Sequence, residues 1–133
     1  MNIKLKSTYG SLNYKGTNDR GQSLQLSGKK ESVSPMETIL MAAAACSSID
    51  IEIFLEKMRQ PFDHIEVDVK GVRVETVPAI FSDIHLHFKI YGNIKPDKAK
   101  KAVEMSMDKY CSVSIMLSAG VKITHSHEVV SDT

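Results

Sequence analysis

The chain has no tryptophan, few aromatics and only two cysteines among its 133 residues. The missing tryptophan decides nothing, but two cysteines are too few for a disulfide scaffold. Arginine is scarce. Fourteen of the seventeen basic residues are Lys, and only Arg20, Arg59 and Arg73 offer a bidentate fork. Seventeen basic and sixteen acidic residues leave a net charge of +1. That is no electrostatic footprint for a nucleic acid or an anionic membrane, so neither is expected as a partner. A run of ~18 apolar residues is lacking too, and no membrane span is expected. The opening Met1-Asn2-Ile3-Lys4-Leu5-Lys6 has no apolar h-region, so no signal peptide is expected. Together these absences point to the cytoplasm, where a stable structural disulfide is not expected.

What is present suits a single domain over residues 1–133, with an ordinary apolar fraction of 42%. Ile3 and Leu5, then Leu12 and Tyr14, then Leu24 and Leu26 alternate with polar neighbours. Turn residues separate them, so the start reads as a meander of three weakly hydrophobic strands. Such strands need something to pack on.

Ser34-Pro35-Met36-Glu37 then opens a helix. Ser34 is a natural N-cap, Pro35 suits the first helical position, and Glu37 completes a capping box. The pattern runs to about Met58, and Thr38 to Ile49 holds no charged residue. A segment apolar all round is expected to be buried on all sides. In so short a chain this predicts a second subunit that helps to cover it.

After Pro61, Ile65, Val67 and Val69 alternate on a strand, and a phase shift after Gly71 predicts a bulge there. Ile84, Leu86, Phe88 and Ile90 make the next strand. Pro96 opens a second helix with Ala99, Ala102, Val103, Ser106 and Tyr110 on one face, and Cys111 to Leu117 continues apolar. Val121 to Val130 reads as a last strand and Ser131-Asp132-Thr133 as a tail. The order βββ, α, ββ, α, β favours α+β over a doubly wound sheet.

Cys46 lies deep in the first helix and Cys111 near the end of the second. Each has a bland reading as a small buried hydrophobe. A reactive thiol needs a cation or a helix N-terminus nearby, and Cys46 is too far along its own helix for that dipole to help. The alternative is that the two helices bring the cysteines together as a peroxidatic and resolving pair. His85 with His87, and His125 with His127, are His-x-His pairs on strands. No Cys or carboxylate sits at ligand spacing beside them, so they read as sheet-face histidines and no metal is expected. His85 and His87 fall on the wet face, opposite Leu86 and Phe88. No dinucleotide or P-loop glycine motif is present.

The run from Ser34 through Cys46 to Asp50 resembles the first cysteine helix of the OsmC/Ohr family, the osmotically inducible and organic hydroperoxide resistance proteins. Lys109-Tyr110-Cys111-Ser112-Val113-Ser114 resembles the second cysteine motif. Val121 to Val129 is similar to the last strand of the YhfA-like branch. The resemblance implies an OsmC-like α+β fold: a strand meander, a long buried central helix carrying Cys46, a second helix carrying Cys111, and an intertwined homodimer. It also implies thiol-dependent reduction of small organic hydroperoxides without a cofactor. Cys46 takes the peroxidatic position and Cys111 the resolving one, and an external dithiol restores the thiols.

In the family pattern an Arg of the N-terminal meander holds the thiolate, and Arg20 is the candidate here. The pattern also has a Glu ten residues before the first Cys, whereas this chain has Met36 there. Glu37, one position on, lies on the far side of the helix from Cys46 and is better read as the capping-box partner. The missing carboxylate favours a second reading, a non-catalytic protein that binds a small apolar ligand in the same dimer-interface pocket.

Overall fold

The computed structural model describes residues 1–131; Asp132 and Thr133 of the expected tail lie outside the described residues. The chain forms two compact units, Met1–Ile39 and the residues from Leu40 onward, with the division inside the first helix.

The first unit is the expected meander. Strands β1 (Ile3–Ser7), β2 (Asn13–Asn18) and β3 (Ser23–Ser27) pair antiparallel in that order. Gly21 closes the second turn at φ +80°, where a side chain would be strained. Ile3 and Leu5 lie over Gly16, where even a Cβ would make only ordinary contact with them. Ile3, Leu5 and Leu24 remain exposed, so the apolar side of the meander is uncovered in the single chain.

Helix α1 runs Pro35–Lys57 and starts as its sequence dictates. The Glu37 N–H donates to Ser34 Oγ at 3.2 Å, and the Ser34 N–H donates to Glu37 Oε1 at 2.9 Å. These bonds, the Ser34 N–H above all, hold the Glu37 carboxyl below the usual carboxylate range. Ala43, Ser47, Ile51 and Leu55, each one turn apart, are buried. The expectation of burial on all sides is not met within one chain: Met41 is 51% exposed, Ile49 60% and Ile53 42%. By length and composition α1 is also apolar enough to cross a membrane, which the sequence reading did not anticipate. Its buried stripe is instead joined to the chain's own second helical segment, as a core helix is. Ser106 Oγ donates to the Ser47 carbonyl at 3.0 Å.

The second unit is built on a sheet of order β4-β5-β6. Strand β4 (His64–Arg73) runs antiparallel to β5 (Phe81–Tyr91), and β5 runs parallel to β6 (Lys122–Val130). A parallel pair needs a crossover, and here it carries α2 (Pro96–Met105), a π-helical turn (Ser106–Tyr110) and α3 (Ser112–Leu117). Phe81, Ile84, Leu86, Phe88 and Ile90 form the inner face of the central strand. The register shift in β4 falls between Val72 and Arg73, not at Gly71. Gly71 keeps the inward phase of Val67 and Val69, the Phe81 ring fills the space a side chain would take there, and Val72 points outward.

The crossover corrects the expected second helix. Ala99, Ala102, Val103 and Ser106 are buried together, but Tyr110 is 55% exposed. The π turn inserts extra backbone per turn and rotates Tyr110 off that face. The Tyr110 ring instead meets Phe54 of α1 edge to face, with centroids 5.2 Å apart.

Candidate functional site

The π turn ends at Cys111, whose extended backbone (φ −70°, ψ 100°) reverses the chain into α3. The Cys111 N–H donates to the Ser106 carbonyl at 2.7 Å, which fixes the end of the turn. The side chain is fully buried and points back at α1. Its Sγ lies 3.9 Å from the Ala43 carbonyl and 3.2 Å from Ser114 Oγ. Burial pushes the Cys111 thiol up, and the neighbouring Cys46 adds to that rise against the Ser114 hydroxyl.

Cys46 is half-buried on α1, and both cysteines are free. Asp50 stands one helical turn beyond Cys46 and so projects from the same face. Cys46 Sγ, Cys111 Sγ and an Asp50 carboxylate oxygen all lie within 4.8 Å of one another. Asp50 Oδ2 is buried and has no hydrogen-bond partner. Burial accordingly raises the Asp50 carboxyl above its ordinary value, opposed by the Ser106 hydroxyl. The two expected cysteines thus meet, with a third group that the sequence reading passed over.

Two thiols and one carboxylate are three donors, one fewer than a closed structural zinc site takes; no fourth His, Cys, Asp or Glu joins them among the described residues. The two His-x-His pairs do not converge either. His85 and His87 share a face with Thr124, Ser126 and Glu128, and bond to them at 2.6 to 3.1 Å. His125 has the opposite phase and approaches Asp108 of the crossover at 3.8 Å. His127 shares that phase, and burial together with the nearby His125 lowers its proton affinity.

The chain as a whole has known counterparts. The chain matches the family described as OsmC-like protein over residues 28–126. It is 40% identical to Protein YhfA of Escherichia coli over 98% of this chain and 99% of that protein. This chain belongs to the OsmC family.

The likeness extends to solved structures. A crystal structure of a hypothetical protein from Aquifex aeolicus is 26% identical and superposes with a TM-score of 0.89, covering 99% of this chain and 97% of that one. An organic hydroperoxide resistance protein OsmC from Legionella pneumophila is 16% identical with a TM-score of 0.73, covering 96% and 97%. At that identity the second likeness shows the fold alone.

Against the OsmC pattern, Arg20 sits in the turn between β2 and β3, where its Nε donates to Gln22 Oε1 at 3.1 Å. Its backbone N–H donates to Asn18 Oδ1 at 3.0 Å. Glu37 is engaged in the capping box, as its position nine residues before Cys46 suggested. Asp50 was visible in the sequence as a charge four residues after Cys46 near the end of an otherwise apolar run, and helical phase alone could have singled it out.

Proposed function

We propose that this protein is a thiol peroxidase that reduces small organic hydroperoxides, with Cys46 peroxidatic and Cys111 resolving. The observation that carries the reading is the approach of the two sulfurs to within 4.8 Å. A disulfide needs about 2.05 Å between sulfurs. The remaining approach is small enough for side-chain rotation and a slight shift of the π turn. Exposure orders the roles. Cys46 is half-buried and is the more exposed of the two, whereas Cys111 is fully buried beside it. An external dithiol then reduces the disulfide by thiol exchange. Arg20 is the proposed thiolate-stabilising residue, supplied by the meander, and the reducing cytoplasm is the proposed compartment.

The working unit in this proposal is a homodimer. Met41, Ala45, Ile49 and Ile53 recur at four-residue spacing as an exposed apolar stripe on α1, and the meander leaves Ile3, Leu5 and Leu24 uncovered. Exposed apolar surface of this kind favours association.

The test is single-turnover oxidation with cumene hydroperoxide, followed by thiol titration. Wild type is expected to lose both thiols and to recover them with a dithiol. Cys46→Ser is expected to lose none. Cys111→Ser is expected to consume one equivalent of peroxide and stall at a sulfenic acid. Arg20→Ala is expected to slow the first step. Equal residual turnover in the two cysteine variants would refute the assigned roles. Inertness of the wild type to every hydroperoxide would transfer the site to the ligand-binding reading.

A further inference from the structure

The mechanism above moves two protons and leaves unassigned the group that handles them. A hydroperoxide can release its alkoxide only if a proton reaches that oxygen, and an alkoxide is a poor leaving group without one. The one carboxyl that shares the cluster with both sulfurs is Asp50. It is held there by helical phase, one turn from Cys46, and faces Cys111 across the contact that joins α1 to the crossover.

We propose that Asp50 is the general acid–base of the thiol pair, serving Cys46 in the first step and Cys111 in the second. The proposal rests on the peroxidase reading. In the first step the Asp50 carboxylate takes the proton from Cys46 Sγ. The thiolate attacks the terminal oxygen of the hydroperoxide, the S–O bond forms and the O–O bond breaks. The electron pair of that bond leaves on the alkoxide, which takes the proton back from Asp50 and departs as an alcohol. Sulfur is oxidised by two electrons and the peroxide is reduced by two. In the second step Asp50 takes the proton from Cys111 Sγ, and that thiolate attacks the Cys46 sulfur. The S–S bond forms, the S–O bond breaks, and hydroxide leaves as water with the proton from Asp50. The carboxylate ends each step as it began.

Two independent features fit this role. Oδ2 is buried and unpaired, so it holds no competing hydrogen bond and its lone pairs remain for a proton from sulfur. Burial also raises the carboxyl's proton affinity toward working pH, the direction that improves a general acid. The carboxylate oxygen lies within 4.8 Å of both sulfurs, a reach that one water, the substrate oxygen itself or a small side-chain rotation closes.

The test compares two oxidants on reduced full-length protein by stopped flow. tert-Butyl hydroperoxide expels an alkoxide that needs a proton; peracetic acid expels a carboxylate that does not. Asp50→Asn keeps the side-chain shape and removes the transferable proton, with Asp50→Ser as a second variant should the first not fold. The expected result is a rate loss of about 100-fold with tert-butyl hydroperoxide and of under about 10-fold with peracetic acid. Equal losses with both oxidants would overturn the acid half of the role, and no loss with either would overturn the whole of it, while leaving the peroxidase reading intact. A wild type inert to tert-butyl hydroperoxide would overturn both. Stoichiometric zinc in the wild type that is absent from Asp50→Asn would also overturn the role, since the cluster would then be a metal site.

Discussion

Replacing Asp50 by Asn should stabilise the protein, and the gain should grow with pH. Asp50 Oδ2 is buried without a partner, and an unsatisfied buried polar atom costs about 1–3 kcal/mol. Asn leaves an equally unpaired amide NH2 in the place of Oδ2, so the gain comes from removing the charge alone. The sign follows from burial, which raises the folded-state carboxyl above its unfolded value of about 3.9. Above that value the unfolded chain has released its proton while the folded chain still binds it. Wild-type stability from this group is therefore complete below the unfolded value and is lost as pH rises through the folded one. Asn does not titrate. The gain is expected as a higher Tm for the variant at pH 7.5, and it should shrink as pH falls toward 4. Thermal unfolding by circular dichroism at fixed protein concentration and full reduction measures it. A variant no more stable than wild type at pH 7.5, or one equally stabilised at pH 4, would refute the reasoning.

Gly71→Ala should destabilise by about 1–3 kcal/mol, because the new Cβ would stand 2.5 Å from Phe81 Cε1 and 3.0 Å from Leu40 Cδ2. Urea unfolding with an unchanged midpoint would show that the buried Phe81 ring moves aside without strain. Ile49→Glu should convert the proposed dimer into a folded monomer of 14.7 kDa, since Ile49 is 60% exposed in one chain and its loss opens no cavity there. Light scattering that still reports twice that mass would place the interface elsewhere.

The elements that were legible in the sequence are those whose signals are local. The capping box at Ser34 and Glu37, the alternation of Ile84 to Ile90, and the turns at Gly10 and Gly21 each act within a few residues and form as read, whereas Gly16, read as the start of the second turn, lies inside β2. The features that were not legible depend on the fold closing. Tyr110 shares a helical phase with Ser106, yet the π turn between them removes it from that face, and no residue type marks a π turn in advance. Gly71 looked like a bulge because Val72 and Val74 shift the apolar phase. The register shift falls one residue on, between Val72 and Arg73, while Gly71 itself leaves room for the Phe81 ring of the neighbouring strand. The convergence of Cys46 and Cys111 was weighed as one alternative, because spacing along the chain carries no information about which face of the crossover meets α1. Asp50 was overlooked for a related reason. A charge at the end of an apolar run reads as the return of solvent until the segment that buries it is in place.

The hydroxyls and histidines on the outer face of the sheet have a consequence for proton direction. Ser126 Oγ contacts His85 Nε2 at 3.0 Å and His87 Nδ1 at 2.6 Å, and it has one proton to give. Glu128 is an acceptor, so neutral His87 must carry its proton on Nε2 to donate across 3.1 Å. His87 Nδ1 then accepts from the Ser126 hydroxyl, which leaves the Ser126 oxygen to accept from His85 Nε2–H. His85 Nδ1 in turn accepts from Thr124 Oγ1–H at 2.7 Å. One carboxylate therefore sets the tautomer of two rings and the orientation of two hydroxyls, all polarised from Thr124 toward Glu128. A second proton on His87 forces its Nδ1 to donate, turns the Ser126 hydroxyl toward His85 and reverses the row from Ser126 back to Thr124.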